Sequence, residues 1–355
     1  MILIKNGKIH TAAGLTLDSG CILIKDGRIA DVAPHIAAPE GATVIDATGK
    51  NVFPGFVDAH CHLGLLEDSI GFEGDDVNEA TAPVTANMRA IDAINPMDVT
   101  FKEAREAGVT SCGVGPGSAN VIGGTYAAIK TMGDRIDDMV IKDPIAMKCA
   151  FGENPKRVYS GQKKQPSTRM GTAAIMREAL LKAKRYLDAI ERAGDDAGKL
   201  PTLDVQSEAL LPVLRKEIPL KAHAHRADDI FTAIRIAKEF GVDITLEHCT
   251  EGHLIADHLV KEGLPAVVGP SFGHRTKFEL KHKTFATPGI LDHAGVKVAI
   301  TTDSPVVPLS SLPLMAGMAV ASGMSEEAAL RAITIKDRKS VVYGNSVDQG
   351  GGRIN

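Results

Sequence analysis

A β/α barrel preceded by a small β domain is the fold class this sequence predicts, and three observations predict it. From Met97 onward, strand and helix patterns alternate; repeated β-then-α order demands parallel strands with right-handed crossovers, and about eight such units close a barrel. Residues with metal-binding chemistry, His60 and His62, His223, His248 and Asp303, stand at the C-terminal ends of apolar runs, where such a barrel carries its functional groups. The glycine-rich fingerprints of nucleotide-binding open sheets are absent, so a doubly wound sheet ranks second.

Composition bounds the rest. The 355 residues are 44% apolar with a mean hydropathy near zero, enough for one large core and a small companion domain. A formal net charge of −4 gives no general attraction to nucleic acid or to an anionic membrane. No apolar run approaches a membrane span, and Met1-Ile2-Leu3-Ile4-Lys5 enters a strand pattern directly. A cytoplasmic protein without a signal peptide is expected, acting on a small molecule, with a homo-oligomer left open. Cys21, Cys61, Cys112, Cys149 and Cys249 are odd in number and lack CxxC spacing, which argues for small core residues rather than disulfides or a thiolate zinc site.

Taken in order, residues 1–50 read as the small β domain. Ile2 to Ile4, Gly20 to Lys25, Arg28 to Val32 and Thr43 to Ile45 are β-rich runs, and Asp26-Gly27 signals a tight hairpin. The main domain, 51–335, opens with an apolar run into Val57-Asp58-Ala59-His60-Cys61-His62. Side chains at i and i+2 share a strand face, so His60 and His62 point the same way and Cys61 turns away. On its own the pair is either half of a metal site or two polar residues on a half-exposed strand. Between Leu65 and Pro96 the periodicity lapses and Glu67, Asp68, Glu73, Asp75, Asp76 and Glu79 gather; so long a loop reads as a lid, a subunit contact or a solvated acidic surface.

The alternation then begins. Met97 to Ala107 is helical, Val109 to Val114 strand-like, and Val121 to Met132, with Gly123-Gly124, a turn into another element. Ile145 to Phe151 is an apolar strand interrupted by Lys148, followed by a basic loop, Gly152 to Met170, and a long amphipathic helix, Thr172 to Ala193. Three strand-helix pairs come next: Pro219 to His223 with Asp228 to Phe240, Val242 to His248 with His253 to Glu262, and Pro265 to Val268 with Pro288 to Ala294. Val296 to Thr302 is the last strand, ending at Asp303.

Four motifs in this order, Asp58-Ala59-His60-Cys61-His62, Lys221-Ala222-His223-Ala224-His225, Leu246-Glu247-His248-Cys249 and Thr301-Thr302-Asp303, resemble the first-, fifth-, sixth- and eighth-strand signatures of the amidohydrolase superfamily. Within it the likeness is to imidazolonepropionases and Xaa-Pro dipeptidases, and it runs from Met1 to about Thr334. The resemblance implies a (β/α)8 TIM barrel beside a small β-sandwich domain. It also implies one or two divalent metal ions, zinc foremost, held by His60, His62, His223, His248 and Asp303. Relatives with Tyr in place of the second fifth-strand His make His223 the ligand and His225 a substrate contact. Many relatives bridge two metals with a carboxylated lysine on the fourth strand, where Lys148 stands. A lysine among Ala146, Met147, Cys149 and Ala150 is costly to bury charged and unpaired. The alternatives are a lysine that snorkels out or pairs with Glu153, and Glu153 as the ligand in its place.

The implied reaction is hydrolysis of a carbon-nitrogen bond, whether amide, peptide or cyclic amide, in a small molecule. A divalent metal makes hydroxide available at neutral pH and polarises a carbonyl. Asp303 would then carry a proton from water to the departing amine, although an Asp before Ser304-Pro305 also suits a simple Asx turn. His225, Arg226, His274 and Arg275 are candidate substrate contacts, since Arg grips a carboxylate with two bonds; an exposed basic loop is the alternative for His274 and Arg275. His253, His258, His282 and His293 fall on polar helix faces or loops and are expected to lie outside the site. A deaminase of a heterocycle is the alternative enzyme, but such relatives often carry Glu three residues after the fifth-strand His, and here that position is Arg226. The third reading is an inactive truncated scaffold. After Ile335 the sequence leaves the family pattern, and 336–355 has neither helical nor strand periodicity for long. It reads as a non-native tail, with the small β domain deprived of its last strands and left with an unpaired edge and apolar surface.

Overall fold

The computed structural model describes residues 1–68 and 71–336; the atypical tail from residue 337 on lies outside the described residues. The chain divides into two compact units, the first Met1–Gly55 and the second beginning at Phe56. Among the described residues no helix is long and apolar enough to cross a membrane.

The first unit is one sheet of β1 (Ile2–His10), β2 (Thr16–Lys25), β3 (Arg28–Ala33), β4 (Thr43–Asp46) and β5 (Asn51–Val52). Its order is β3-β2-β1-β4, with β5 also pairing β1. Asp26 and Gly27 turn β2 into β3 with φ of 51° and 72°, the left-handed backbone that the Asp-Gly signal supplies. β4 is an edge strand, and its Val44 and Ile45 are exposed.

The second unit is built on eight strands: β6 (Phe56–Cys61), β7 (Val109–Val114), β8 (Ile122–Lys130), β9 (Val140–Ala150), β10 (Leu220–Ala224), β11 (Ile244–His248), β12 (Ala266–Val268) and β13 (Val298–Ile300). They neighbour one another in chain order and form a nearly closed barrel, as the sequence predicts. One strand departs from the expected parallel pattern. β8 runs antiparallel to both β7 and β9, where a turn was expected over Val121 to Met132. Its residues from Ile122 to Ile129 are all buried, so no polar alternation marks them as a strand. Antiparallel neighbours also need no crossover helix.

The seam between the first and last strands is held by one carboxylate. Asp58 accepts from the His60 N–H (3.0 Å), the Thr301 hydroxyl (2.7 Å), and the N–H and hydroxyl of Thr302 (2.8 and 2.7 Å). Beyond it, the His62 N–H donates to the Ser304 carbonyl at 2.7 Å. Burial raises the Asp58 pKa even against these bonds.

Helices α1 (Val99–Glu106), α2 (Ile136–Met139), α3 (Glu153–Gly161), α4 (Arg169–Ala193), α5 (Val205–Leu214), α6 (Ala227–Phe240), α7 (Ala256–Glu262), α8 (Thr287–Ala294), α9 (Leu312–Ala321) and α10 (Glu326–Ala332) complete the unit. α6 shows why they form. Asp228 and Asp229 stand in its first turn, Ile230, Ala233, Ile234 and Ala237 make its buried stripe, and Gly241 in the left-handed region ends it. Several helices were not anticipated, α3 and α5 among them. α3 occupies part of the basic stretch expected as loop and buries Pro155 and Tyr159, and α5 carries Pro212 inside a weakly amphipathic run.

Candidate metal centre

The barrel brings five histidines and an aspartate to the C-terminal ends of its strands in two groups. His60, His62 and Asp303 form one, and His223, His225 and His248 the other; within each, the donor atoms lie within 4.8 Å of one another. The groups adjoin, for the His60 and His248 rings are 4.9 Å apart and those of His223 and His248 4.4 Å. His248 and Asp303 take left-handed backbone, φ 68° and 55°, just where their strands stop. Strand alternation therefore does not decide where these two side chains point.

Three of the imidazoles are each fixed through Nδ1. His60 donates from Nδ1 to Glu247 Oε2 at 2.6 Å, His62 from Nδ1 to the Gly115 carbonyl at 2.7 Å, and His248 from Nδ1 to the Gly269 carbonyl at 2.8 Å. Carboxylates and carbonyls only accept, so the proton sits on Nδ1 and the Nε2 lone pair is turned into the centre, which is how second partners orient metal-binding histidines. His60 Nε2 faces the Lys148 amine (3.0 Å) and the Tyr126 hydroxyl (3.2 Å), and His62 Nε2 faces Asp303 Oδ1 (3.2 Å). His248 Nε2 and His223 Nδ1 are buried without a hydrogen-bond partner among the described residues. The orphaned lone pair of His248 Nε2 in the interior calls for an ion or an ordered molecule, so the donor set fits a divalent metal.

The two acceptor glycines cannot be replaced without movement. A Cβ on Gly115 would lie 1.9 Å from the Tyr126 ring, and one on Gly269, at φ 142°, 2.0 Å from the Thr301 carbonyl oxygen.

Burial sets the protonation states. It lowers the pKa of His60, His223 and His225 well below the ordinary range, with Lys148 adding to the effect on His60 and His248 on the other two. His248 is pushed down to about 4 by burial, against the pull of Asp303. All four are therefore neutral near pH 7, the form that ligates a metal. Lys148, fully buried, is pushed down to about 8 by burial, while Asp303 and Glu247 hold it up. For Asp303 burial acts upward, but His248, His62 and Lys148 outweigh it, and the carboxyl is held well below its usual range.

The structure brings His60, His62, Lys148, His223, His248 and Asp303 together, and beside them it places His225, read from sequence only as a substrate contact. Of the other three proposed contacts, the two arginines have partners of their own. The Arg226 guanidinium forks onto Asp228 (2.9 and 2.8 Å), Arg275 donates to the carbonyls of Lys281 and Lys283 (3.1 and 3.0 Å), and His274 is exposed. Glu153 contributes its backbone N–H, to Glu279. Sequence reasoning missed Glu247, which also accepts from Lys221 (2.8 Å) and Thr245 (2.5 Å), along with Tyr126 and Glu279. An acid one residue before His248 in an apolar run was the available signal for Glu247. For Glu279 there was none.

Fold and site together define a β/α barrel with a histidine-rich candidate metal centre at its C-terminal mouth. No family model matches the chain. A solved amidohydrolase from Thermotoga maritima MSB8 is 42% identical, with a TM-score of 0.93 over 96% of this chain and 88% of that one. Amidohydrolase tasK of Hapsidospora irregularis is 31% identical over 342 residues, 89% of this chain and 35% of tasK. A dihydroorotase of Mycobacterium tuberculosis is 26% identical over 261 residues, 66% of this chain and 57% of the enzyme. The chain thus spans 35% and 57% of the lengths of these two curated relatives. It belongs to the amidohydrolase superfamily.

Proposed function

We propose that the protein is a cytoplasmic, metal-dependent hydrolase that cleaves a carbon-nitrogen bond of a small molecule, with zinc as the metal. The observation that carries the reading is the meeting of the two donor groups, with the unshared lone pair of His248 Nε2 buried among them. His60, His62 and Asp303 would hold one ion and His223 and His248 another, with Lys148 between them as a carbamate. Such an ion acidifies a water and polarises the substrate carbonyl.

The chain's own groups do the rest. Asp303 is 15% exposed at its side chain and so reaches both the buried donors and a substrate in the mouth. Its carboxylate takes a proton from the attacking water and delivers it to the leaving nitrogen. Glu247, Gly115 and Gly269 keep three imidazoles in the tautomer that ligates, and Lys221 balances the charge of Glu247. His225 stands with the donors His223 and His248, while Arg226, His274 and Arg275 would have to leave their present surroundings to reach a substrate. A reducing compartment agrees with five free cysteines, all buried.

The test pairs metal content with a substrate screen. Replacing His60 and His62 by Ala should bring bound metal to background and abolish release of carboxylate and amine from a library of dipeptides, N-acyl amino acids and cyclic amides. Stoichiometric metal in the double variant would sink the site, and ammonia as the product would move the assignment to a deaminase.

A further inference from the structure

We infer that Glu279 is a metal ligand, completing with His223, His225 and His248 a four-donor site; this rests on the metal-dependent reading above. Glu279 lies in the short turn Phe278–Leu280 after β12 and is fully buried. Its Oε2 accepts the Glu153 N–H at 2.9 Å. Its Oε1 is buried and has no hydrogen-bond partner among the described residues. That oxygen stands 3.6 Å from His225 Nε2 and 4.0 Å from His223 Nε2, and no Lys or Arg among the described residues is within ion-pair distance of Glu279. Asp229, a nearby carboxylate, already has Arg169 at 3.0 Å.

Separations of 3.6 and 4.0 Å are too long for hydrogen bonds. They suit donors that share an ion: ligands about 2.0–2.1 Å from a tetrahedral zinc lie roughly 3.4 Å from each other. The first donor group shows the same spacing, with Asp303 Oδ1 3.2 Å from His62 Nε2 and 3.6 Å from His60 Nε2. Each group of imidazoles thus has one carboxylate, Asp303 for the first and Glu279 for the second. A buried carboxylate oxygen facing two neutral imidazoles is costly to desolvate and leave unpaired, and a divalent cation satisfies it together with the orphaned Nε2 lone pair of His248. The position also accounts for a glycine at residue 152, where a Cβ would come within 2.8 Å of Glu279 Oε2 and 2.9 Å of Asp229 Oδ2.

The experiment uses the full chain, stripped of metal and titrated with cobalt(II). Glu279→Gln keeps an oxygen to accept from the Glu153 N–H and removes only the charge and the donor. It should weaken one cobalt ion by at least about tenfold, the lower end of what loss of a supporting partner does, and change the intensity of the visible bands that report coordination number. Its far-ultraviolet circular dichroism and metal-free melting should match the parent. Glu279→Asp, which withdraws the carboxylate by one methylene, should weaken the same ion, and adding His225→Ala should weaken no other. Parent-like affinity and spectrum in both Glu279 variants would overturn the assignment, as would lost hydrolysis with unchanged cobalt binding, which would make Glu279 a substrate contact. A parent chain that takes up no cobalt would overturn the hydrolase reading as well, so the two failures are distinguishable.

Discussion

Lys148 shows how far one residue can be read from its surroundings. With its pKa pushed down to about 8, its amine is mostly charged below that value and mostly neutral above it. Only the neutral amine adds carbon dioxide, forming the N–C bond of a carbamate and releasing a proton. Between about pH 7 and about pH 9 the neutral share should rise from roughly a tenth to roughly nine tenths. Metal-free protein given carbon-13 bicarbonate should therefore show a carbamate resonance growing across that range and absent in Lys148→Ala; growth only near the ordinary lysine pKa would mean the amine is not held in this way. Asp303→Asn is the second prediction. It keeps the shape but cannot act as a base, so metal should stay largely bound while turnover falls by about 10²–10⁴; near-parental kcat would hand the proton transfer to another group. At this scale the sequence showed the histidines, because strand ends are visible as the stops of apolar runs. It hid Glu247, whose role depends on His60, 187 positions away, and Lys221, 26 positions away.

Among the elements, the loops that hold the site are more constrained than their composition suggests. The segment after the acidic stretch is tied down by side chains from elsewhere: Asn120 donates to the Glu79 and Ala82 carbonyls (2.6 and 2.8 Å), the Tyr159 hydroxyl to Ala82 (2.6 Å), and Gln162 and Lys164 to Ala80 and Thr81 (2.9 and 3.1 Å). Three of those donors come from the stretch read as basic loop, Tyr159 on α3 and Gln162 and Lys164 just past its end. Its apolar content is too low for a helical stripe to stand out, and what stabilises it is the strap it fastens. The turn after β12 is under a tighter constraint. Gly269→Ala would drive a methyl group into the Thr301 carbonyl oxygen, 2.0 Å away, and displace the carbonyl that orients His248. We expect destabilisation of about 1–3 kcal/mol in urea melts and metal affinity lowered about 10–100-fold by dialysis. Parental values on both counts would show that the turn accommodates a side chain.

For the molecule as a whole, the barrel was legible because parallel β-then-α order leaves few topologies, whereas β8 was not, because a strand buried on both faces and joined by a hairpin carries neither alternation nor a crossover. The closure was equally hidden: Asp58 looks like part of a metal motif, yet it joins residues 243 positions apart through Thr301. That separation has a consequence in time. β7, β8 and β9 pair with near neighbours, Val114 with Ala127 and Ile129 with Val140, so the seam closes a loop about four doublings longer and costs about 2.5 kcal/mol more in chain entropy. Pulse-labelled hydrogen exchange during refolding should protect β8 amides before those of Thr302 and His62; simultaneous protection would refute that order. His60 and His62 stand on one side of the seam and Asp303 on the other, so the first donor group does not exist until the last strand arrives. The colour of cobalt bound there would then mark the completion of folding.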